Sequence, residues 1–209
     1  MRTYGQYCAL AKALDVVGDR WSLLIVRELL LRGPSRYTDL RHGLPGIATN
    51  LLAERLRQLE QDEIVRRFAA PPPVATTLFE LTPRGAELEP VLQALGRWGA
   101  PLLADAGDDD AFRSHWLAFP LERHLRDASP DEPPVSIELR TGDQPVTIET
   151  RGGGVHVRPG PAEEPDGVLA GPHRPLIATL FRDMTLRNAE SLGVRYAGDR
   201  RALQRLEPR

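Results

Sequence analysis

Thr49, Asn50 and Arg57 are polar residues on a segment whose other face is built of leucine. In residues 44–60, LPGIATNLLAERLRQLE, Leu52, Leu56 and Leu59 recur at the period of a helix, while Asn50, Ala53, Glu54 and Arg57 fall on the opposite side. In a major groove an asparagine amide pairs bidentately with adenine and an arginine guanidinium with guanine. The spacing therefore makes Thr49, Asn50 and Arg57 the candidates to face DNA in the groove, with base reading by Asn50 and Arg57 and mere contact to phosphate or water as equal alternatives. Arg55, at the border of the apolar face, is expected to brace the helix through a carboxylate. Ser35, Arg36 and Thr38 open a short helix just upstream, and helix N-termini attract anions, so these three are expected on phosphate. Arg66 and Arg67 fall on a predicted strand. They either reach the DNA backbone or minor groove, or are ordinary solvated charge.

Other chemistry is sparsely supplied. His42, His115, His124, His156 and His173 are scattered, no pair has metal-ligand spacing, and neither HExxH nor CxxC occurs. Gly152-Gly153-Gly154 reads as a hairpin turn, because no strand–glycine–helix order surrounds it. No nucleophile elbow or paired carboxylates stand out, so neither an enzyme nor a cofactor or metal is expected. Cys8 is the single cysteine, which leaves a disulfide only to Cys8 of a second copy. Its thiol is reactive if its pKa is lowered and it is reachable, with Lys12 one turn on and Arg2 nearby as positive charge. The competing reading is a small buried apolar side chain.

The elements that must hold these residues follow from pattern. Residues 7–17 read as a helix with Leu10, Leu14 and Val17 apolar. Asp19 can cap the next helix, Trp21 to Leu31, apolar nearly all round and so buried; Gly33-Pro34 ends it. Tyr37 to His42 form a short helix with Tyr37 and Leu40 inward, and Leu44-Pro45-Gly46 turns the chain into the helix at 48–60. Ile64 to Ala69 and Thr76 to Leu81 read as strands flanking an exposed Pro71-Pro72-Pro73 loop, which makes a wing. This is the plan of a winged helix-turn-helix. Thr82-Pro83 starts a helix through Leu88, Val91, Leu92, Leu95, Trp98 and Leu102. That stripe is too long for a small domain to cover alone and predicts a dimer seam, packing on its own domain being the alternative.

Several of these residues carry a resemblance. Cys8, Leu14-Asp15-Val16, Gly18-x-x-Trp21, Arg27-Glu28-Leu29 and Arg36-Tyr37-x-Asp39-Leu40 occur in order. So do Leu44-Pro45-Gly46-Ile47, Leu52-x-x-Arg55-Leu56-x-x-Leu59 and Leu81-Thr82-Pro83-x-Gly85. Over residues 4–100 the chain resembles the HxlR-type bacterial transcription regulators, winged-helix proteins related to the MarR group. The resemblance implies a dimer that binds operator DNA through the helix at 48–60 and the wing. It also implies that a cysteine at this place senses oxidants or electrophiles in related regulators. Ala9 stands where many members have proline, and Phe79 where tyrosine is usual.

Asp105 to Asp110 is an acidic, glycine-containing linker that divides a winged helix domain, 1–104, from a second domain, 111–209. The second domain reads as a helix carrying Phe112, Trp116, Leu117, Leu121 and Leu125. Strands follow at Val135 to Arg140, Val146 to Arg151, Val155 to Arg158 and Val168 to Ala170. Then come a helix at Leu176 to Phe181, a strand at Gly193 to Tyr196 and a closing helix at Arg200 to Leu206. The overall fold class is α+β. Phe112, Trp116, Phe119 and Phe181 are first of all core; with Leu121, Leu125, Leu176, Ile177 and Leu180 they are also candidates to line an apolar pocket, where Arg182 or Arg187 orients a ligand. Pro165-Asp166-Gly167-Val168-Leu169-Ala170-Gly171, Leu176 and Leu180, and Leu192-Gly193-Val194-x-x-x-Gly198-Asp199 resemble the sterol-carrier-protein-2-like fold, which implies a hydrophobic effector.

With 209 residues, 41% hydrophobic and 27% charged, the composition is that of an ordinary globular protein. Residues 1–104 hold 13 Lys+Arg against 11 Asp+Glu and residues 105–209 hold 14 against 18, so the net charge of −2 hides a mildly basic first half. No apolar run of ~18 residues exists, and MRTYGQYC lacks a signal-peptide core, so a cytoplasmic location without membrane partners is expected. The expected function is a homodimeric repressor on a near-palindromic double-stranded operator, modulated by a hydrophobic small molecule in the second domain. Two alternatives stand: a thiol-based regulator acting through Cys8 with a structural second domain, and a lipid carrier or small enzyme that borrowed a winged helix for protein contacts.

Overall fold

The computed structural model describes residues 3–70, 76–107 and 109–209. The Pro71-Pro72-Pro73 loop and Arg2 lie outside the described residues. The chain divides into two compact units, Met1–Asp110 and Ala111–Arg209.

In the first unit α1 (Ala9–Val17), α2 (Ser22–Arg32) and α3 (Tyr37–Gly43) lead to α4 (Thr49–Gln61). Leu52, Leu56 and Leu59 on α4 are buried against Ile25, Val26 and Leu29 of α2 and Leu40 of α3 in one apolar cluster. Gly46 makes the turn into α4 at φ 84°, a left-handed conformation that glycine adopts without strain. Gly43 answers a different need: a Cβ there would lie 2.0 Å from Glu28 Oε2. Glu28 is fully buried, and Arg27 donates to its carboxylate through Nε at 3.1 Å and Nη2 at 2.8 Å. Burial lowers Arg27 from its ordinary pKa, and Glu28 opposes that shift.

The wing is β2 (Val65–Ala69) paired antiparallel with β3 (Thr77–Leu81), with Arg67 opposite Phe79. A two-residue strand β1 (Ser35–Arg36) adds to the other edge of β3, giving the order β1-β3-β2. Sequence pattern does not announce β1, because its partner lies more than forty residues away.

Two expectations for this unit are corrected. Asp19 does not cap α2: its backbone carbonyl takes the Ser22 amide, and its carboxylate pairs with Arg55. The helix expected from 82 through 102 is broken into α5 (Pro83–Ala86), α6 (Glu89–Gly99) and a 3-10 turn (Ala100–Asp105). Pro90 explains the first break. It has no N–H to give the preceding turn, and it is tolerated only in the first turn of a new helix.

The second unit places a 3-10 turn (Ser114–Leu117) and α7 (Ala118–His124) before β4 (Leu125–Asp127), where a single helix was expected. Strands β5 (Ser136–Arg140), β6 (Val146–Arg151), β7 (Gly154–Pro159), β8 (Gly167–Ala170) and β9 (Arg195–Gly198) form one sheet in the order β7-β6-β5-β8-β9. The β5–β8 pair is parallel and the others are antiparallel. Helices α8 (His173–Leu180), α9 (Leu186–Ser191) and α10 (Arg200–Arg205) follow, and β10 (Leu206–Pro208) pairs with β4. The core lies on the sheet face carrying Ile137, Leu139, Val146, Ile148 and Leu169. Among the described residues no helix is long and apolar enough to cross a membrane.

Candidate nucleic-acid interface

On α4 the division of faces puts Thr49, Asn50 and Arg57 in solvent. Arg57 Nε donates to the Ala53 carbonyl at 3.3 Å, which lays its stem along the helix and leaves the other guanidinium nitrogens outward. Among the described residues the Asn50 amide makes no side-chain hydrogen bond, so both its donor and acceptor are open to a base edge. The N-cap, Ala48, has no side chain able to cap, so the first-turn amides of α4 are also left unsatisfied by the protein. Two contacts fix where this face points. The Tyr37 hydroxyl donates to the Thr49 carbonyl at 2.7 Å, tying α3 to the first turn of α4. Arg55 pairs with Asp19 and lies 3.5 Å from Glu54, fastening α4 to the α1–α2 turn. It is a brace, with its Nε buried and without a partner.

The other residues expected at DNA separate into groups. Arg36 and Thr38 are exposed at the start of α3, where the Arg36 amide donates to Asp39 Oδ2 at 3.1 Å. Ser35 is a correction. It is buried in β1 and its hydroxyl donates to the Gly33 carbonyl at 3.0 Å, because pairing with β3 turns its side chain inward. Arg66 and Arg67 are exposed but engaged: Arg66 Nε meets Glu80 Oε1 at 2.6 Å, and Arg67 Nε meets Glu60 Oε1 at 3.2 Å. Arg67 keeps its Nη donors for phosphate, whereas Arg66 is held on Glu80 through both Nε and Nη2. The sequence reading missed Arg41, exposed in the last turn of α3. It also missed the positioning hydroxyl of Tyr37, whose half-buried ring signals only packing.

The expected seam also divides. Leu88 and Leu92 are corrected: they pack against the core of their own unit. Val91, Leu95, Trp98 and Leu102 remain exposed, Trp98 to 75% and Leu102 to 61%. On α1, Leu10 and Leu14 are likewise exposed, while Ala11 and Val17 are buried. Cys8 sits at the N-cap of α1 with its thiol exposed, which removes the buried-core reading. Lys12 lies 3.7 Å from Asp15 and is occupied there.

In the second unit Leu121, Leu125, Leu176 and Leu180 are at most 1% exposed and close on one another as core, so they line no open pocket. Phe112, Ile177 and Phe181 are half-buried against that core, and Phe112 stacks on His173 with ring centres 4.3 Å apart. Trp116 and Phe119 are half-buried as well. Arg182 is exposed, and its Nη2 donates to the Gln204 and Leu206 carbonyls at 3.3 and 3.1 Å. Arg187 is exposed on α9.

Comparison with known proteins gives one consistent result for the first unit. The sequence profile of the HxlR-like helix-turn-helix family matches residues 16–106. The chain is similar to the HTH-type transcriptional regulator YodB of Bacillus subtilis, 36% identical over 96 residues, which are 46% of this chain and 84% of YodB. It is similar to the uncharacterized HTH-type transcriptional regulator sll1512 of Synechocystis, 37% identical over 99 residues, 47% of this chain and 73% of that protein. Against the solved reduced form of YodB the TM-score is 0.41 at 32% identity, covering 49% of this chain and all of that one. YodB has also been solved diamide-treated and quinone-bound.

Proposed function

The chain belongs to the HxlR-like helix-turn-helix family of DNA-binding transcriptional regulators, and we propose that it acts as a homodimeric repressor reading a near-palindromic operator with α4. The observation that carries this reading is the open polar face of α4, with Asn50 unpaired and Arg57 outward beside uncapped first-turn amides. Two copies of α4 about a two-fold axis enter successive major grooves roughly 34 Å apart. Arg36, Thr38 and Arg41 then face phosphate, as do Arg67 through its Nη donors and Arg66 once released from Glu80.

Asn50→Ala and Arg57→Ala are each expected to cost ~1–3 kcal/mol of operator binding and to relax specificity at one base position. Electrophoretic titration on matched and shuffled duplexes checks this. Equal losses on both would reassign the residues to phosphate. Affinity must also fall steeply as salt rises, whereas a lipid carrier or enzyme with a borrowed winged helix would bind no duplex.

The effector reading places a hydrophobic small molecule in the second unit, as a sterol-carrier-protein-2-like module. Its support is the rim of half-buried Phe112, Ile177 and Phe181 on an apolar core. A second reading, a thiol-based sensor, is favoured by the exposed Cys8 thiol and by YodB, a relative solved diamide-treated and quinone-bound. One pair of measurements separates them. Native mass spectrometry of fresh protein is expected to show a bound apolar molecule whose removal changes operator affinity. If Cys8→Ser instead abolishes a diamide response and no such molecule is found, the thiol reading replaces it.

A further inference from the structure

Glu54 stands in the middle of the polar row of α4. It lies four residues after Asn50 and three before Arg57, the two spacings that make side chains neighbours on one helix face. Leu52, Leu56 and Leu59 hold the opposite face in the core, so this row points to solvent. The Glu54 side chain is 60% exposed. Arg57 does not neutralise it, because the Arg57 Nε turns back to the Ala53 carbonyl instead. Arg55 comes to 3.5 Å through Nη2, but successive residues on a helix do not face each other, and Arg55 gives its Nη1 to Asp19. Among the described residues no hydrogen bond holds the Glu54 carboxylate. An open anion therefore sits between the two side chains placed to read bases.

The sign of that charge decides what it can touch. Asn50 and Arg57 can each serve phosphate as well as a base. An ionised carboxylate only accepts hydrogen bonds, and phosphate repels it. In the major groove the donors are the amino groups at N4 of cytosine and N6 of adenine. Guanine shows two acceptors there, and thymine an acceptor and a methyl group. Adenine sets its N7 acceptor beside N6, which suits the mixed amide of an asparagine but opposes the second oxygen of a carboxylate. Cytosine shows N4 alone. We propose that Glu54 is a specificity-determining residue: its carboxylate accepts from the N4 amino group of one cytosine in each operator half-site and discriminates against guanine and thymine there. This selection rests on α4 entering the major groove as proposed above. Glu54 lies about 6 Å along the helix axis from Asn50, at roughly 1.5 Å per residue, so the cytosine falls within about two base steps of the adenine that Asn50 meets.

The test uses the full chain and a random-sequence duplex library, with the bound duplexes sequenced for wild type, Glu54→Ala and Glu54→Gln. Wild type is expected to enrich a half-site holding one fixed cytosine. Glu54→Ala is expected to keep the rest of the motif and lose the preference at that position alone. Glu54→Gln is expected to move it toward adenine, which a glutamine amide reads bidentately. Replacing that cytosine by thymine in one half-site is expected to weaken wild type roughly 5–150-fold and Glu54→Ala less than about twofold. Shuffled duplex is expected to bind Glu54→Ala at least as tightly as wild type, since a charge of the same sign as phosphate is gone. Circular dichroism is expected to be unchanged in both variants, the side chain being exposed. A motif that neither substitution alters overturns the proposal and leaves the groove reading of α4 standing. Equal losses on selected and shuffled duplexes overturn it too, and make Glu54 a support for Arg55. Enrichment of no duplex by wild type ends the groove reading itself, so the two failures are told apart.

Discussion

Trp98→Asp is expected to dissociate the proposed homodimer and to abolish tight operator binding. Trp98 stands 75% exposed on α6, with Val91 and Leu95 exposed at helical spacing before it and Leu102 exposed in the 3-10 turn after it. Burying a large apolar side chain contributes about 1.5–3 kcal/mol. In a two-fold seam the residue occurs twice, so both copies of that gain are lost together. The introduced carboxylates add several kcal/mol of desolvation cost if the seam closes over them without a partner. Together these exceed about 4 kcal/mol, which is roughly a thousandfold in dimer dissociation. Operator binding suffers further because linking two half-site readers is worth roughly 10²–10⁴ in avidity, and a monomer forfeits it. Sedimentation equilibrium and operator titration on the same preparation check both effects. Circular dichroism is expected to be unchanged, because Leu88 and Leu92, not Trp98, tie α6 to its own core. An intact dimer at matched concentration would remove α6 from the interface.

The α4 face was legible in the sequence because its signal is local. Leucines at 52, 56 and 59 need only the helical period to face inward, and the same period sends Asn50 and Arg57 outward. The strands β5, β6 and β7 were legible for a similar reason, their alternation being bounded by glycine turns. What escaped depends on partners distant in sequence. Ser35 reads as a phosphate ligand until β1 pairs with β3 and buries it. The stripe from Leu88 to Leu102 is continuous on paper, yet Leu88 and Leu92 find a home core and the rest do not. β4 and β10 are three-residue strands joined across about eighty residues, too short to carry a pattern of their own. The border position of Arg55 on α4 marked it as a brace, but the carboxylate partners of Arg66 and Arg67 are set by tertiary contact, so charge alone at those two positions did not separate an ion pair from a DNA contact. Asp19 illustrates the same point from the other side: a cap by position, it is a salt-bridge partner in space.

Asp127→Ala is expected to destabilise the second unit by ~3–5 kcal/mol at neutral pH, the cost of stranding a buried charge. The charge is Arg205, 78 residues away, whose Nε and Nη2 donate to the two Asp127 oxygens at 3.0 and 2.7 Å. Both side chains are buried. Arg205 also donates to the Pro133 and Ser129 carbonyls at 2.5 and 2.9 Å, so it fastens α10 to the loop after β4 and cannot swing to water without breaking that connection. The pair contributes position as much as energy. Replacing both partners, Asp127→Leu with Arg205→Met, is therefore expected to recover much of the loss, because it strands no charge. The pH dependence follows from the carboxylate. Arg205 holds Asp127 below its ordinary pKa, against the opposing effect of burial. A depressed folded pKa gives stability that is present above the unfolded value of about 3.9 and is lost as pH falls through the folded one. Wild type and Asp127→Ala should consequently differ most at neutral pH and converge below about pH 4. Urea unfolding across that range reads both predictions. A gap that persists unchanged in acid would assign the effect to packing, and no gap at pH 7 would show that the ion pair is dispensable to the fold.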